Sequence, residues 1–132
     1  MSDALLAAAR QAMTHAYSPY SKFRVGAALE ADDGSVFSGC NVENASFGGT
    51  ICAERTAMGS AVAAGKRKFR RIVITSDADD PIAPCGLCRQ YMAEFGTGLQ
   101  VSSVGRKGGI ASWTLAELLP HAFTGSDFAE GR

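Results

Sequence analysis

Apolar positions recur along this chain with two different periods. Leu5, Leu6, Ala9, Ala12, Met13 and Ala16 share one stripe of a first helix, with Ser2 placed to cap it and Ser18-Pro19-Tyr20 to end it. The period then changes to two. Phe23, Val25, Ala27 and Leu29 alternate with Arg24, Gly26, Ala28 and Glu30, which predicts a strand. Asp32-Asp33-Gly34 predicts a hairpin turn, and 35–42 the return strand. After a loop over 43–50, the alanine-rich stretch 52–64 reads as a helix closed by Gly65. The β-branched run Arg71-Ile72-Val73-Ile74-Thr75 predicts a buried central strand. A third helix is expected over 85–95, with Leu87, Tyr91 and Phe95 on one face. A fourth strand is expected over 99–104 and a short fifth over 110–113. Leu115, Leu118 and Leu119 then mark a last short helix before Pro120.

The order αββαβαββα predicts an α/β protein. Helices between strands 2 and 3 and between 3 and 4 permit crossovers with parallel pairing. Only Gly105 to Gly109 separates strands 4 and 5, too short for a crossover, so these two should be antiparallel. The expected architecture is a three-layer α/β/α sandwich around a mixed five-stranded sheet.

Composition narrows the function. The chain has 132 residues, 46% of them apolar, which suits a single domain over 1–132. Thirteen basic residues balance thirteen acidic ones, so the basic excess of a dedicated polyanion binder is missing. The dense run Lys66-Arg67-Lys68-Phe69-Arg70-Arg71 follows a helix end, where cations are favoured, and reads as a solvated face. No stretch approaches the roughly 20 apolar residues of a membrane span. Met1-Ser2-Asp3 places no basic region before the alanine-rich stretch, so the expected compartment is the reducing cytoplasm.

In that setting the four cysteines are free for chemistry. Cys52 opens the second helix, and Cys85 and Cys88 open the third. Helix N-termini favour the thiolate, the form that binds metal. If both helices start at one edge of the sheet, the three sulfurs converge there. Three soft ligands suit zinc. His15, His121 and Cys40 are poor candidates for a fourth, and three protein ligands plus a water is the catalytic pattern. Glu54, two residues after Cys52, is better placed beside such a metal than on it. A redox dithiol, a structural zinc site and unligated core cysteines are the alternatives. The third cysteine argues against the first of them. Cys40 alone reads as a small buried hydrophobe.

Cys52-Ala53-Glu54 followed by Pro84-Cys85-Gly86-Leu87-Cys88 is the zinc-deaminase signature. Over nearly its whole length the chain resembles the small, homotetrameric type of cytidine deaminase. The resemblance is carried by those motifs, by Phe23-Arg24-Val25-Gly26-Ala27-Ala28-Leu29, by Cys40-Asn41-Val42-Glu43-Asn44-Ala45-Ser46, and by Leu118-Leu119-Pro120-His121-Ala122-Phe123. It implies zinc-dependent hydrolytic deamination of cytidine and deoxycytidine, with one zinc ion per subunit on Cys52, Cys85 and Cys88. It implies that Glu54 shuttles protons and that Arg55 donates toward a cysteine sulfur. It implies that Asn41 and Glu43 bind the ribose, that Phe23 packs on the pyrimidine and that the Ala53 backbone contacts the base. Phe123 would reach the site of a neighbouring subunit, so that a homotetramer shares its active sites.

Two departures stand in one loop. Phe47 replaces a frequent tyrosine, and Gly49 a common leucine. Rival substrates within the same fold are nucleic acids and a cytosine-containing antibiotic such as blasticidin S. The short strand 4–5 connection resembles the free-nucleoside branch. Val42, between Asn41 and Glu43, is expected to point into the core.

Overall fold

The computed structural model describes residues 3–129. The expected Ser2 cap lies outside that range. Helix α1 (Asp3–Met13) leads to the hairpin β1 (Val25–Ala31) and β2 (Val36–Cys40). A short 3-10 turn over Phe47–Gly49 precedes α2 (Ala53–Ala63), β3 (Phe69–Ser76) and α3 (Gly86–Ala93). The chain continues through β4 (Gln100–Val104), β5 (Ile110–Thr114), α4 (Leu115–Leu118) and α5 (Gly125–Ala129). Sequence periodicity gives no sign of α5.

The five strands form one mixed sheet in the order β2-β1-β3-β4-β5. Strand β3 pairs with β4 in parallel, and β4 with β5 antiparallel. The crossover through α2 does join two strands of like direction, but it passes over β1, which lies antiparallel to both. Strands 2 and 3 are therefore parallel without being paired.

Three layers result. Leu5 and Ala9 of α1 pack with Ala28, Val73 and Val104 on one face of the sheet. On the other face Ala57, Met58, Cys88 and Met92 of α2 and α3 meet Leu29, Ile72, Ile74 and Val101. The alternation in β1 is thus not buried against exposed. Gly26, Ala27, Ala28 and Leu29 are all buried, because both faces carry a helix. A Cβ at Gly26 would overlap the Ala9 carbonyl oxygen, and one at Gly39 would overlap the Thr56 hydroxyl and the start of α2. Those two glycines let α1 and α2 lie against the hairpin.

Several expectations are corrected. β1 begins at Val25, leaving Phe23 in the preceding loop. β2 stops at Cys40, and Val42 is 41% exposed, held by isolated bridges to Tyr17 and Ile51. Asn41 and Glu43 turn toward residues 20–25, which leaves Val42 on the outer side. On α3 the buried residues are Cys88, Met92 and Ala93, whereas Leu87 and Tyr91 are exposed. Cys40 is only partly buried, and this burial raises its thiol pKa.

Four of the five cations in the basic run are engaged locally. Lys66 pairs with Asp33 at 2.6 Å and Arg71 with Glu30 at 3.1 Å. Arg70 donates to the Asp32 carbonyl, and Arg67 donates to the Val62 carbonyl near the end of α2.

Gly39→Ala should destabilise the protein by about 1–3 kcal/mol through overpacking against α2. Gly59→Ala, where a Cβ meets open space in the interior of α2, should stabilise it by roughly 0.5–1 kcal/mol. Urea midpoints of the two variants check both signs.

Candidate active site and metal centre

Two helices deliver the sulfurs. Cys52 is the extended N-cap residue of α2, and Cys85 holds the same place on α3. The Cys-x-x-Cys spacing sets Cys88 in the first turn of α3, where its backbone N–H donates to Cys85 Sγ at 3.5 Å. Cys52 Sγ and Cys85 Sγ lie 3.8 Å apart, and the three sulfurs all fall within 4.8 Å of one another. Sulfurs held tetrahedrally about 2.3 Å from one zinc ion stand ~3.8 Å apart. A disulfide would bring them to about 2.0 Å. The donor set therefore fits zinc. Among the described residues the cluster holds three ligands, and neither His15 nor His121 joins it.

Three thiolates on a divalent cation leave one negative charge in excess. Arg55 stands against that charge: its Nη2 donates to the Thr50 carbonyl at 3.2 Å and approaches Cys52 Sγ at 3.8 Å. Among the described residues its Nε is buried with no hydrogen-bond partner. Within the cluster a hydrogen bond from Cys88, aided by Arg55, holds the Cys52 thiol well below its ordinary pKa. Cys88 is displaced the other way, by that same bond and by burial.

Glu54 lies on the first turn of α2 with 4% of its surface exposed. Burial pushes its carboxyl up to about 7, and the neighbouring Cys52 charge adds to the rise. A carboxyl in that range gives and takes protons readily at neutral pH.

Glu54, Ala53, Cys52 and Cys85 line one cavity of about 280 Å³, with Phe23, Asn41 and Glu43 on its other walls. Asn41 secures Phe23. Its Oδ1 accepts from the Val25 N–H at 2.9 Å, and its Nδ2 donates to the Phe23 carbonyl at 2.8 Å. Glu43 Oε1 accepts from the backbone of Tyr20 and Ser21 at 3.0 and 3.1 Å, and Oε2 accepts from the Ser21 hydroxyl. Those bonds hold the Glu43 carboxyl below the usual carboxylate range.

Phe123 is not brought to this cavity. It is 56% exposed, and its ring meets Phe128 edge-on at 5.0 Å. Sequence reasoning passes over Ser21, which seats Glu43, and over Ile82 and Ala83, which line the cavity from the loop before Pro84. The nearness of Ile82 and Ala83 to the Cys-x-x-Cys turn is the signal that could have found them.

A mixed sheet flanked by helices carries a cluster of three thiols, two of which line one cavity with a buried carboxyl, and this is the arrangement of a zinc-type hydrolytic site on an α/β/α sandwich. Residues 1–103 match the family described as cytidine and deoxycytidylate deaminase zinc-binding region. The chain is 46% identical over 128 residues to a cytidine deaminase of Sporosarcina psychrophila, covering 96% of this chain and 94% of that protein. It is 48% identical over 124 residues to a cytidine deaminase of Halalkalibacterium halodurans, covering 93% and 94%. A crystal structure of cytidine deaminase from Burkholderia pseudomallei superposes with a TM-score of 0.89 at 50% identity, covering 93% of this chain and 100% of that one. The chain belongs to the cytidine and deoxycytidylate deaminase family.

Zinc should protect the cluster from alkylation. In native protein stripped of metal, iodoacetamide should label Cys52 and Cys85, and one equivalent of zinc should suppress both. Peptide mass spectrometry reads the sites, and equal labelling with and without zinc would sink the assignment.

Proposed function

We propose that this chain deaminates cytidine and deoxycytidine hydrolytically, giving uridine or deoxyuridine and ammonia, with one zinc ion per subunit on Cys52, Cys85 and Cys88. The observation that carries the reading is the buried Glu54 at the floor of the cavity that Cys52 and Cys85 also line. Zinc at the three thiolates supplies Lewis acidity that brings the pKa of a water toward neutrality. Glu54 accepts the proton of the attacking water, whose oxygen adds to C4 of the pyrimidine. It delivers that proton to ring N3, then takes the proton of the new C4 hydroxyl and carries it to the amino group, so that the C4–N bond breaks, the C4 carbonyl forms and ammonia leaves.

The remaining walls suit a free nucleoside. Phe23 offers an apolar surface to the base, and the Ala53 backbone lies beside it. Asn41 and Glu43 face the sugar, where a carboxylate accepts from a hydroxyl and an amide can donate or accept. Arg55 offsets the third thiolate. A nucleic-acid substrate is disfavoured by the local engagement of the basic run and by the tight turn between β4 and β5.

Completion of the site by a neighbouring subunit is part of the same reading. Phe47 is 75% exposed and Leu87 60%, besides Phe123. Exposed apolar groups of this size favour association. We assign a homotetramer in which Phe123 enters a neighbour's cavity. The chain acts as a single domain in the cytoplasm, in pyrimidine salvage. Among the described residues no helix is long and apolar enough to cross a membrane.

Glu54→Gln should keep one zinc per chain and lower kcat by about 10²–10⁴-fold. Metal analysis with an ultraviolet assay on cytidine, deoxycytidine and blasticidin S tests this together with the substrate class. Full turnover by the zinc-loaded variant removes Glu54 from the chemistry. Zinc-loaded wild-type protein inert toward all three compounds points to a structural metal. Light scattering should return the mass of four chains, and a monomer at working concentration refutes the shared site.

A further inference from the structure

Cys88 is followed in α3 by Arg89 and Gln90, whose side chains the catalytic reading does not use. Arg89 reads from sequence as a surface ion-pair residue, yet among the described residues it has no carboxylate partner. Its guanidinium bridges two backbone carbonyls instead. Nε donates to Pro84 O at 2.8 Å, and Nη1 donates to Leu118 O at 2.9 Å. Pro84 is buried and directly precedes Cys85. Leu118 ends α4. Gln90 makes a second fastening. Its Nε2 donates to the Phe123 carbonyl at 2.6 Å, and its Oε1 accepts from the Phe123 N–H at 3.1 Å.

The turn that carries Cys85 and Cys88 is thus tied at two points to residues 118–123, which lie about thirty positions further along the chain. Leu118, Leu119 and Ala122 also pack on the core that contains Cys88 and Met92. Arg89 holds the Pro84 carbonyl. That contact helps set the peptide leading into Cys85, and with it the extended N-cap conformation (φ −67, ψ 165) from which Cys85 Sγ is aimed. Arginine is suited to this because its rigid planar fork serves two acceptors at once, which a lysine point charge does not. Gln90 pairs with a main-chain N–H and C=O much as a neighbouring strand does.

We propose that Arg89 and Gln90 are positioning residues that couple metal retention at the cysteine turn to docking of the 118–123 segment. Linkage makes the coupling reciprocal. If the docked segment favours the metal-holding turn, bound metal favours the docked segment by the same factor. The inference rests on the zinc reading of the cluster.

The test uses the zinc-loaded full chain and two readouts other than turnover. The first is the rate of zinc loss to a chromophoric chelator. The second is native-state hydrogen exchange at the amides of Leu119 and residues 121–124, compared with amides of β1 and β3. Arg89→Met should lose zinc at least tenfold faster than wild type, and Arg89→Lys should recover part of the difference by serving one carbonyl. Gln90→Ala should speed both zinc loss and exchange at 119–124. Removing zinc from the wild-type protein should raise exchange at 119–124 while β1 and β3 stay protected. Zinc loss from Arg89→Met within twofold of wild type overturns the proposal. So does exchange at 119–124 that ignores the metal. Should Arg89→Met fail to fold, Gln90→Ala decides alone, since it leaves the Arg89 bonds in place: faster exchange at 119–124 without faster zinc loss overturns the coupling. Wild-type protein that takes up no zinc overturns the metal reading and this inference together, whereas a zinc-loaded protein with unaltered variants overturns this inference only.

Discussion

The site depends on two helices beginning at the same place. A helix N-terminus presents unpaired N–H groups and a partial positive charge, and here α2 and α3 both aim that end at one cluster of sulfur. Neither helix is placed by the cysteines themselves. The backbone of α2 lies against β2 because position 39 has no side chain, and the Thr56 hydroxyl donates to the Cys40 carbonyl at 2.8 Å. α3 packs through Met92 and Ala93 on the core behind β3. Sheet geometry therefore sets the distance between Cys52 and Cys85, and each N-cap conformation sets the direction of a sulfur.

The same convergence creates an electrostatic problem. Three thiols and a carboxyl share a partly dry space, where like charges repel strongly. The Cys52 thiol is held low and the Cys88 thiol is pushed up, while burial and the Cys52 charge raise the Glu54 carboxyl to about 7. Among the described residues Arg55 is the cation that approaches the cluster, with Nη2 3.8 Å from Cys52 Sγ. A divalent cation bound at the three sulfurs would relieve the repulsion among them.

Much of this was legible in the chain. The change from a helical period to alternation located α1 and β1, the short gap after residue 104 made β4 and β5 antiparallel, and the Cys-Ala-Glu and Pro-Cys-x-x-Cys motifs named the residues that meet. Strand order was not legible. A crossover of the length of α2 reaches the adjacent strand or the next one equally well, and the insertion of β1 between β2 and β3 is decided by packing on both faces. The exposure of Val42 also escaped, since strand alternation applies only while ladder pairing continues and that pairing stops at Cys40. Phe123 is a different case. Its sequence position carries no period at all, and its place is set by a side chain 33 residues away. Arg89 looked like a surface cation because sequence cannot distinguish a carboxylate partner from a pair of carbonyls.

The polar walls of the cavity show how local structure limits recognition. An Asn side chain offers two N–H donors and two acceptor sites, and a carboxylate about four acceptor sites. Asn41 has already spent one donor on Phe23 and one acceptor site on Val25. Glu43 has spent acceptor sites on Tyr20 N–H, Ser21 N–H and the Ser21 hydroxyl. What remains for a ligand is small: one N–H and one acceptor site on Asn41, and roughly one carboxylate site on Glu43. The cost of ordering those two side chains is met by the fold before any ligand arrives, so each remaining bond is made by a group that already points in a fixed direction. The same bonds hold Phe23 in place, because the segment they grip runs from Tyr20 to Val25. Phe23, Asn41 and Glu43 therefore form one rigid unit of the cavity wall. A change that loosens Ser21 would be felt at Phe23 as much as at Glu43.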